Sequence, residues 1–455
     1  MSTQQQTQQT EIQNPRGLLI ALCSVLMFSV MNGTMFNIAV PDIANTYDLL
    51  PSEASWVMTG YIMIYAVGAL VYGKLADYYP YKTLITIGLT IFSLGSLLGF
   101  FSTSYVMVIV GRIIQAMGGS MIPALVFLAP IRYFPDQRGK VLGIISSVMA
   151  FASGVGPILG GFIAGFLSWE YLFLTSALII VTLPFLRKNL PNEETKPVSL
   201  DYIGMVFVAG IVSSLILGIS LGLMYMFGIM ALFILFFIWR TKTARDPFIP
   251  PRLFRNVNYR TTIITSFLTI TSLFGMMFIL PLMFRDVYGL STMSIGLVLF
   301  PGAMSAAIMG QKGGNLVDSK GAKFVLFLAL GLLFSGFLVV SSATGLVVWL
   351  VSALVILAYM SFPLVQASSA ELLATELESS ETGVGMGVFN LLNFVSGSIS
   401  GAVIGKVLDL YQPSSPINPI GVNGESAIYS NVFLGFSIVI LVAFLQFKFF
   451  YKKKA

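Results

Sequence analysis

The chain has 455 residues, 56% of them hydrophobic and only 10% charged, with a mean hydropathy of +0.88. Soluble domains carry about 25% charged residues, so this composition cannot coat a water-facing surface and calls for lipid as the solvent. The absence of histidine excludes histidine-based catalysis, haem ligation and most transition-metal sites, and the net charge of +6 follows topology, not nucleic-acid binding.

Residues 1–15 are polar and glutamine-rich, with no basic region leading into a short apolar core, so a disordered cytoplasmic tail is expected, not a signal peptide. Fourteen apolar segments follow, each long enough to approach the ~30 Å span of a bilayer. They cover 17–40, 54–73, 83–101, 105–131, 140–166, 170–186, 202–219, 222–239, 260–284, 294–312, 323–342, 345–370, 383–405 and 427–449. Only Gly222 offers a turn between the seventh and eighth. The one cysteine, Cys23, lies in the first segment and builds no disulfide framework.

Charge tests the count. With the N-terminus cytoplasmic, the even-numbered turns hold Lys74 and Lys82, then Arg132, Arg138 and Lys140, then Arg187, Lys188 and Lys196. The series continues with Arg240 to Arg260, with Lys312, Lys320 and Lys323, and with the lysines of the C-terminus. The odd-numbered turns hold only Arg285 and Lys406 nearby, and a wrong count would scramble this segregation. The acidic turn with Glu376, Glu378 and Glu381 is the exception. Trp56, Trp169, Trp239 and Trp349 all fall near expected helix ends, where amphipathic rings settle.

GKLADYYPYK at Gly73–Lys82 recurs as GNLVDSKGAK at Gly314–Lys323. Both copies are expected in turns on one side, so the offset is even, and eight helices fit the interval: two six-helix halves with two helices between them. The expected divisions are a tail at 1–15, an N-terminal bundle at 16–190, two linker helices with their loops at 191–258, a C-terminal bundle at 259–450 and a basic tail at 451–455.

The repeated stretch resembles the signature loop of the major facilitator superfamily, with Tyr78 and Ser319 where an arginine is usual and Pro80 where a glycine is usual. NIAVPDI at Asn37–Ile43 is similar to the close of the first helix in fourteen-helix drug–proton antiporters. GRIIQAMGGS at Gly111–Ser120 resembles that superfamily's fourth-helix motif. GVGPILGG, with Gly154, Gly156, Pro157, Gly160 and Gly161, resembles the fifth-helix motif of its exporters. DPFIPPRLF at Asp246–Phe254 and FPGAMS at Phe300–Ser305 add likeness to Gram-positive tetracycline and multidrug efflux proteins.

The resemblance implies an all-α fold of two six-helix bundles plus two linker helices in the bacterial plasma membrane, both termini cytoplasmic. It implies export of amphipathic, often cationic, drugs against an inward flow of protons, by a monomer needing no cofactor. Gly73, Asp77, Lys82 and Asp318 would gate, Asp77 capping a helix or pairing across the interface; a solvated turn residue is the alternative. Proline kinks a helix and glycine permits close packing, so α-helix five would seal the cavity, or merely pack.

Arg112 would assist proton coupling, or else snorkel to the outer headgroups. Gln115 and Asn32 would line the same region, Asn32 standing where many relatives carry an aspartate; interhelical bonding is its alternative. With no acid at a helix centre, Asp286, Asp42 and Glu170 near the outer ends are the expected proton sites, unless they are interface residues. Phe28, Phe36, Tyr61, Tyr65, Phe389, Asn390, Asn393 and Phe394 are the expected cavity lining, or ordinary packing. No phosphate-binding loop for ATP and no catalytic constellation occurs, so neither an ATP-driven pump nor an enzyme is expected. A nutrient importer on the same fold is the competing reading.

Overall fold

The computed structural model describes residues 14–49, 51–54, 56–193, 201–290, 292–378, 381–410, 415–422, 424 and 426–452. Most of the polar N-terminal tail, Lys196 and the last three residues lie outside the described residues. Among the described residues every regular element is helical, and fourteen helices are long and apolar enough to cross a membrane. The first six are α1 (Pro15–Thr46), α2 (Trp56–Leu75), α3 (Tyr81–Phe100), α4 (Tyr105–Tyr133), α5 (Arg138–Phe166) and α6 (Tyr171–Asn189). Two more follow, α7 (Tyr202–Ser220) and α8 (Tyr225–Thr243). The last six are α9 (Val257–Asp286), α10 (Thr292–Lys320), α11 (Ala322–Ala343), α12 (Val348–Glu376), α13 (Thr382–Leu410) and α14 (Ala427–Phe450).

Helix starts follow local chemistry. Asn14, Asp201 and Asn256 accept hydrogen bonds from backbone N–H groups of α1, α7 and α9, and Ser104 does so for α4. Gly222, at φ +66°, makes the expected turn between α7 and α8. Several helices outrun the apolar stretch that marks them. α10 and α12 continue through Asp318 and Glu371, because a helix satisfies its own backbone whatever the side chains are. α1 likewise runs on to Thr46 instead of closing near residue 40. The second signature copy is therefore no turn: Gly314 and Asp318 lie in the last turns of α10, and Gly321, at φ +86°, ends it. In the first copy Pro80 bars helix at the preceding residue, so α2 stops at Leu75 and Asp77 sits in a true turn.

Within the first six helices α1 packs on α5, α3 on α4 and α6, and α2 on α4. In the last six, α12 packs on α9, α10 and α11, and α14 on α9 and α11. The two groups meet along α5–α10, α5–α12 and α2–α13. α7 lies against α2 and α13 and carries α8, which has no buried residue. An even number of crossings puts the described ends of α1 and α14 on one face, here the terminal side; the other is the distal side.

Candidate functional site

Glycine pairs bring α3 and α4 into contact: a Cβ on Gly95 would stand 2.5 Å from the Gln115 nitrogen. That approach turns Arg112 and Gln115, one helical turn apart on α4, toward α1 and α2. Arg112 is 1% exposed. Its Nε donates to the Val57 carbonyl at 3.2 Å, and Nη1 donates to Asn32 Oδ1 at 3.1 Å and Gln115 Oε1 at 2.9 Å. The guanidinium lies between two rings, 4.2 Å from the Phe36 centroid and 3.8 Å from that of Tyr61. Gln115 Nε2 donates onward to Ser96 Oγ at 2.7 Å, and Asn32 Nδ2 to Ser176 Oγ at 2.6 Å. Five helices, α1, α2, α3, α4 and α6, thus enclose the arginine. The snorkelling alternative is overturned. Asn32 hydrogen-bonds Arg112 and joins α1 to α6.

Tyr61 and Tyr65 stack on α2 with centroids 5.3 Å apart, and Tyr65 shares a 2.8 Å hydrogen bond with Ser29. The Tyr65 ring meets Phe394 of α13 edge-on at 4.8 Å. Asn390 Nδ2 donates across the halves to the Pro123 carbonyl at 3.4 Å, whereas Asn393 Nδ2 donates to Gln366 within the last six helices at 3.5 Å. Phe389 is buried. Phe28 departs from the expected cavity. It lines a groove of about 790 Å³ between α1 and α6 with Ile20, Ser24, Val181 and Phe185. One residue is a step of about 100° around a helix, and that step separates Phe28 from the inward-facing Ser29.

The expected proton sites are scattered. Asp42 is exposed near the distal end of α1, and Asp286, also exposed, ends α9 and accepts a hydrogen bond from Tyr429 of α14. Glu170 stands at the start of α6 with Oε2 buried and without a hydrogen-bond partner. None is brought to Arg112, and among the described residues no carboxylate forms an ion pair with it.

The signature aspartates do something more specific than their sequence announces. Asp77 leaves the end of α2 and caps α13, in the other half: Gly383 N donates to Oδ1 at 2.9 Å and Val384 N to Oδ2 at 3.2 Å. Asp318 reciprocates from the end of α10 by capping α5, accepting from Gly139 N and Lys140 N at 2.8 Å each. The solvated-turn alternative for Asp77 is excluded, since its side chain is 3% exposed. Burial pushes the Asp77 carboxyl up to about 6, against the lowering pull of the Gly383 N–H, Arg132, the Val384 N–H and Lys74.

Arg132 lies 3.8 Å from Asp77, and Arg138 of α5 pairs with Glu371 of α12 at 3.5 Å. Tyr78, in the place of the usual arginine, donates to Asp246 at 3.2 Å, and Lys74 pairs with the same carboxylate at 3.7 Å. Lys82 turns away to Asn192, at 2.9 Å. Gly73 lets the α2 and α13 backbones touch: a Cβ there would stand 2.6 Å from the Gly383 carbonyl oxygen.

The glycines of α5 divide their work. Gly156 and Gly160 face α1, where a Cβ on Gly160 would stand 2.8 Å from the Met35 carbonyl oxygen, while Gly154 faces Ala303 of α10. Gly161 is half-buried. Pro157 lies within α5, but its side chain is outside the described set. Contacts between the halves thus run from the terminal side to the level of Tyr65–Phe394 and Gly154–Ala303. Farther out, Ile158 and Phe162 on α5 and Leu297 and Phe300 on α10 are exposed. The terminal side is closed.

Sequence reasoning missed Ser29, Ser96, Ser176 and Gln366 as partners in these networks. It counted Arg132 and Arg138 for topology without seeing that Arg132 pairs with Asp77 and that Arg138 pairs across the halves with Glu371.

A family model described as Major Facilitator Superfamily matches residues 22–401. The chain belongs to that superfamily. Members of it are transporters, so this multi-pass membrane protein is a transporter and not an enzyme. It is 27% identical over 331 residues to an uncharacterized MFS-type transporter, YhcA, of Bacillus subtilis (strain 168); the match spans 70% of this chain and 62% of that one. It is 26% identical to the lincomycin resistance protein LmrB of Listeria innocua serovar 6a over 87% of each chain. It is also 29% identical to the riboflavin transporter RibZ of Clostridioides difficile (strain 630), over 68% of this chain and 69% of that one. Among solved structures, the human organic anion transporter MFSD10 (TETRAN) superposes with a TM-score of 0.71, covering 95% of this chain and all of that one. At 15% identity that likeness shows the fold alone.

Proposed function

We propose that this major facilitator protein exports amphipathic drugs or antimicrobials across the bacterial plasma membrane in exchange for protons, with both termini cytoplasmic. The observation that carries the alternating-access part is the pair of reciprocal aspartate caps, Asp77 on α13 and Asp318 on α5. Each half holds the other's helix ends on the terminal side, so opening that side requires both caps to release together. The glycine packing of α5 on α1 and α10 and the resistance named for LmrB support export.

The substrate sits between Tyr61, Tyr65 and Phe394, above the Arg112 cage. Exchange against protons needs a group whose charge differs between the two states. Asp286, Asp42 and Glu170 are the distal candidates, with Arg112 as the fixed charge that senses substrate. The protein acts as a monomer and draws on the proton gradient, with no cofactor. Purified protein in liposomes with an imposed pH gradient should concentrate an amphipathic dye, and a protonophore should abolish the effect. Accumulation that ignores the gradient and needs ATP would sink this reading. A second reading, uptake of a small nutrient, is supported by the name of RibZ; the direction of flux in oriented vesicles separates the two.

A further inference from the structure

Arg112 is a buried charge without a buried counter-charge. The groups that solvate it are the Val57 carbonyl, Asn32 and Gln115, with the faces of Phe36 and Tyr61 on either side. Neutral acceptors make a buried cation tolerable, but they leave its charge uncancelled. Among the described residues no carboxylate pairs with it, the buried Glu170 oxygen at the start of α6 included. Of the described residues, the acids within the fourteen helices are Asp42, Asp286, Asp318, Glu371, Glu376 and Asp409, all within about two turns of a helix end. The centre of the first six helices therefore carries a net positive charge in a low-dielectric surround, where fields reach farther than in water.

A second observation lies against the first. Tyr61, whose ring rests on the guanidinium, is 4% exposed, and its hydroxyl is buried with no hydrogen-bond partner. Its neighbour Tyr65 has Ser29. Buried hydroxyls are ordinarily paired, and one left alone points to a missing partner. Tyr61 also belongs to the small cluster that includes Tyr65, Ala116 and Phe394, at the level where α2 meets α13. An unpaired donor, an unbalanced cation and an aromatic wall between the halves thus share one place.

We infer that the transported amphiphile carries an anionic group, a carboxylate or a sulfonate. Its oxygen accepts from the Tyr61 hydroxyl, Arg112 beneath the ring supplies the counter-charge, and its apolar body lies on Tyr65 and Phe394. This rests on the export reading and narrows it, and it departs from the cationic drugs that the sequence resemblance suggests. A lipophilic cation at the same place would meet like charge and an unhelpful donor, so the site discriminates by sign.

Two xanthene dyes of similar body and opposite charge make the test: anionic carboxyfluorescein and cationic rhodamine 6G. Full-length protein in liposomes with an imposed pH gradient is expected to move carboxyfluorescein and to leave rhodamine 6G near the empty-liposome rate. Arg112→Gln should lower carboxyfluorescein transport about ten-fold or more, while Arg112→Lys, which keeps the charge, retains much of it. Tyr61→Phe removes only one oxygen and should raise the apparent KM several-fold with the melting temperature unchanged, which serves if Arg112→Gln fails to fold. Transport of rhodamine 6G but not carboxyfluorescein would overturn the anionic assignment and leave export standing. Wild-type carboxyfluorescein transport by both Arg112→Gln and Tyr61→Phe would also overturn it. If neither dye moves, the assignment and the export reading fall together.

Discussion

The two signature aspartates perform one task in unlike surroundings. Asp77 is buried at the α2–α13 contact, with Arg132 beside it, and burial has pushed its carboxyl up to about 6. Asp318 makes the same two-pronged cap on α5 at closer distances, yet it is exposed. Equal geometry therefore does not mean equal leverage. Water can replace Asp318 as acceptor for the Gly139 and Lys140 amides, but it cannot readily reach those of Gly383 and Val384. The difference assigns the first copy the larger share of holding the terminal side shut.

The largest expected effect comes from deleting each carboxylate in turn. Asp77→Ala leaves two buried amides without their acceptor and takes one of its two carboxylate partners from Arg132, and should disfavour the closed form by about 2–4 kcal/mol. Asp318→Ala should cost about 1 kcal/mol or less. Spin-label distances between the terminal ends of α2 and α13 report the closed fraction, and equal responses would break the comparison. Next come the glycines. Gly73→Ala drives a Cβ into the Gly383 backbone, which cannot yield, and should cost about 1–3 kcal/mol of closure with transport lost. Gly154→Ala meets only the Ala303 methyl, at 3.2 Å, and should cost less than about 1 kcal/mol, as the same distances would show.

The pH dependence is smaller and has a definite sign. A carboxyl that titrates near 6 in the closed form and about 3.9 when solvated binds its proton more tightly when closed. Acid therefore favours closure, the contribution being full below about pH 4 and lost as pH rises through about 6. Between pH 7 and pH 5 the closed-to-open ratio should rise about ten-fold. A wild-type ratio that stays flat over this range, or falls, would contradict the assignment, as would an Asp77→Asn variant that keeps the rise. The smallest effect is Tyr78→Phe, which removes one hydrogen bond to the partly exposed Asp246 and should shift transport by less than about 1 kcal/mol in kcat/KM.

The fourteen helices were legible because apolar runs and the lysine and arginine pattern constrain one another, and Gly222 had the conformational freedom its place required. The clasps were not. Asp77 meets an amide 306 residues away, and nothing local distinguishes Gly383 from the other glycines of an apolar helix. The inward turn of Arg112 was equally hidden, because a helix apolar on nearly every side gives little periodicity to tell core from lipid. Only the α3–α4 glycine contact settles it. Phe28 was misplaced for a related reason: a cavity and a lipid-side groove both welcome phenylalanine, and one helical step separates them.

The reciprocity of the caps has a consequence for assembly. A surface on which site a of one unit grips site b of the other, while b grips a, is isologous, the hallmark of a two-fold dimer. The α2–α13 and α5–α10 contacts repeat that handshake inside one polypeptide, with α7 and α8 as the tether. Two six-helix units of this kind need no common ancestry of loops to recognise each other, only the aspartate and the glycine-lined helix end on each. The tether then converts a concentration-dependent encounter into a standing neighbourhood at high effective molarity. A clasp that is weak enough to open in every cycle can therefore still re-form without its halves ever drifting apart.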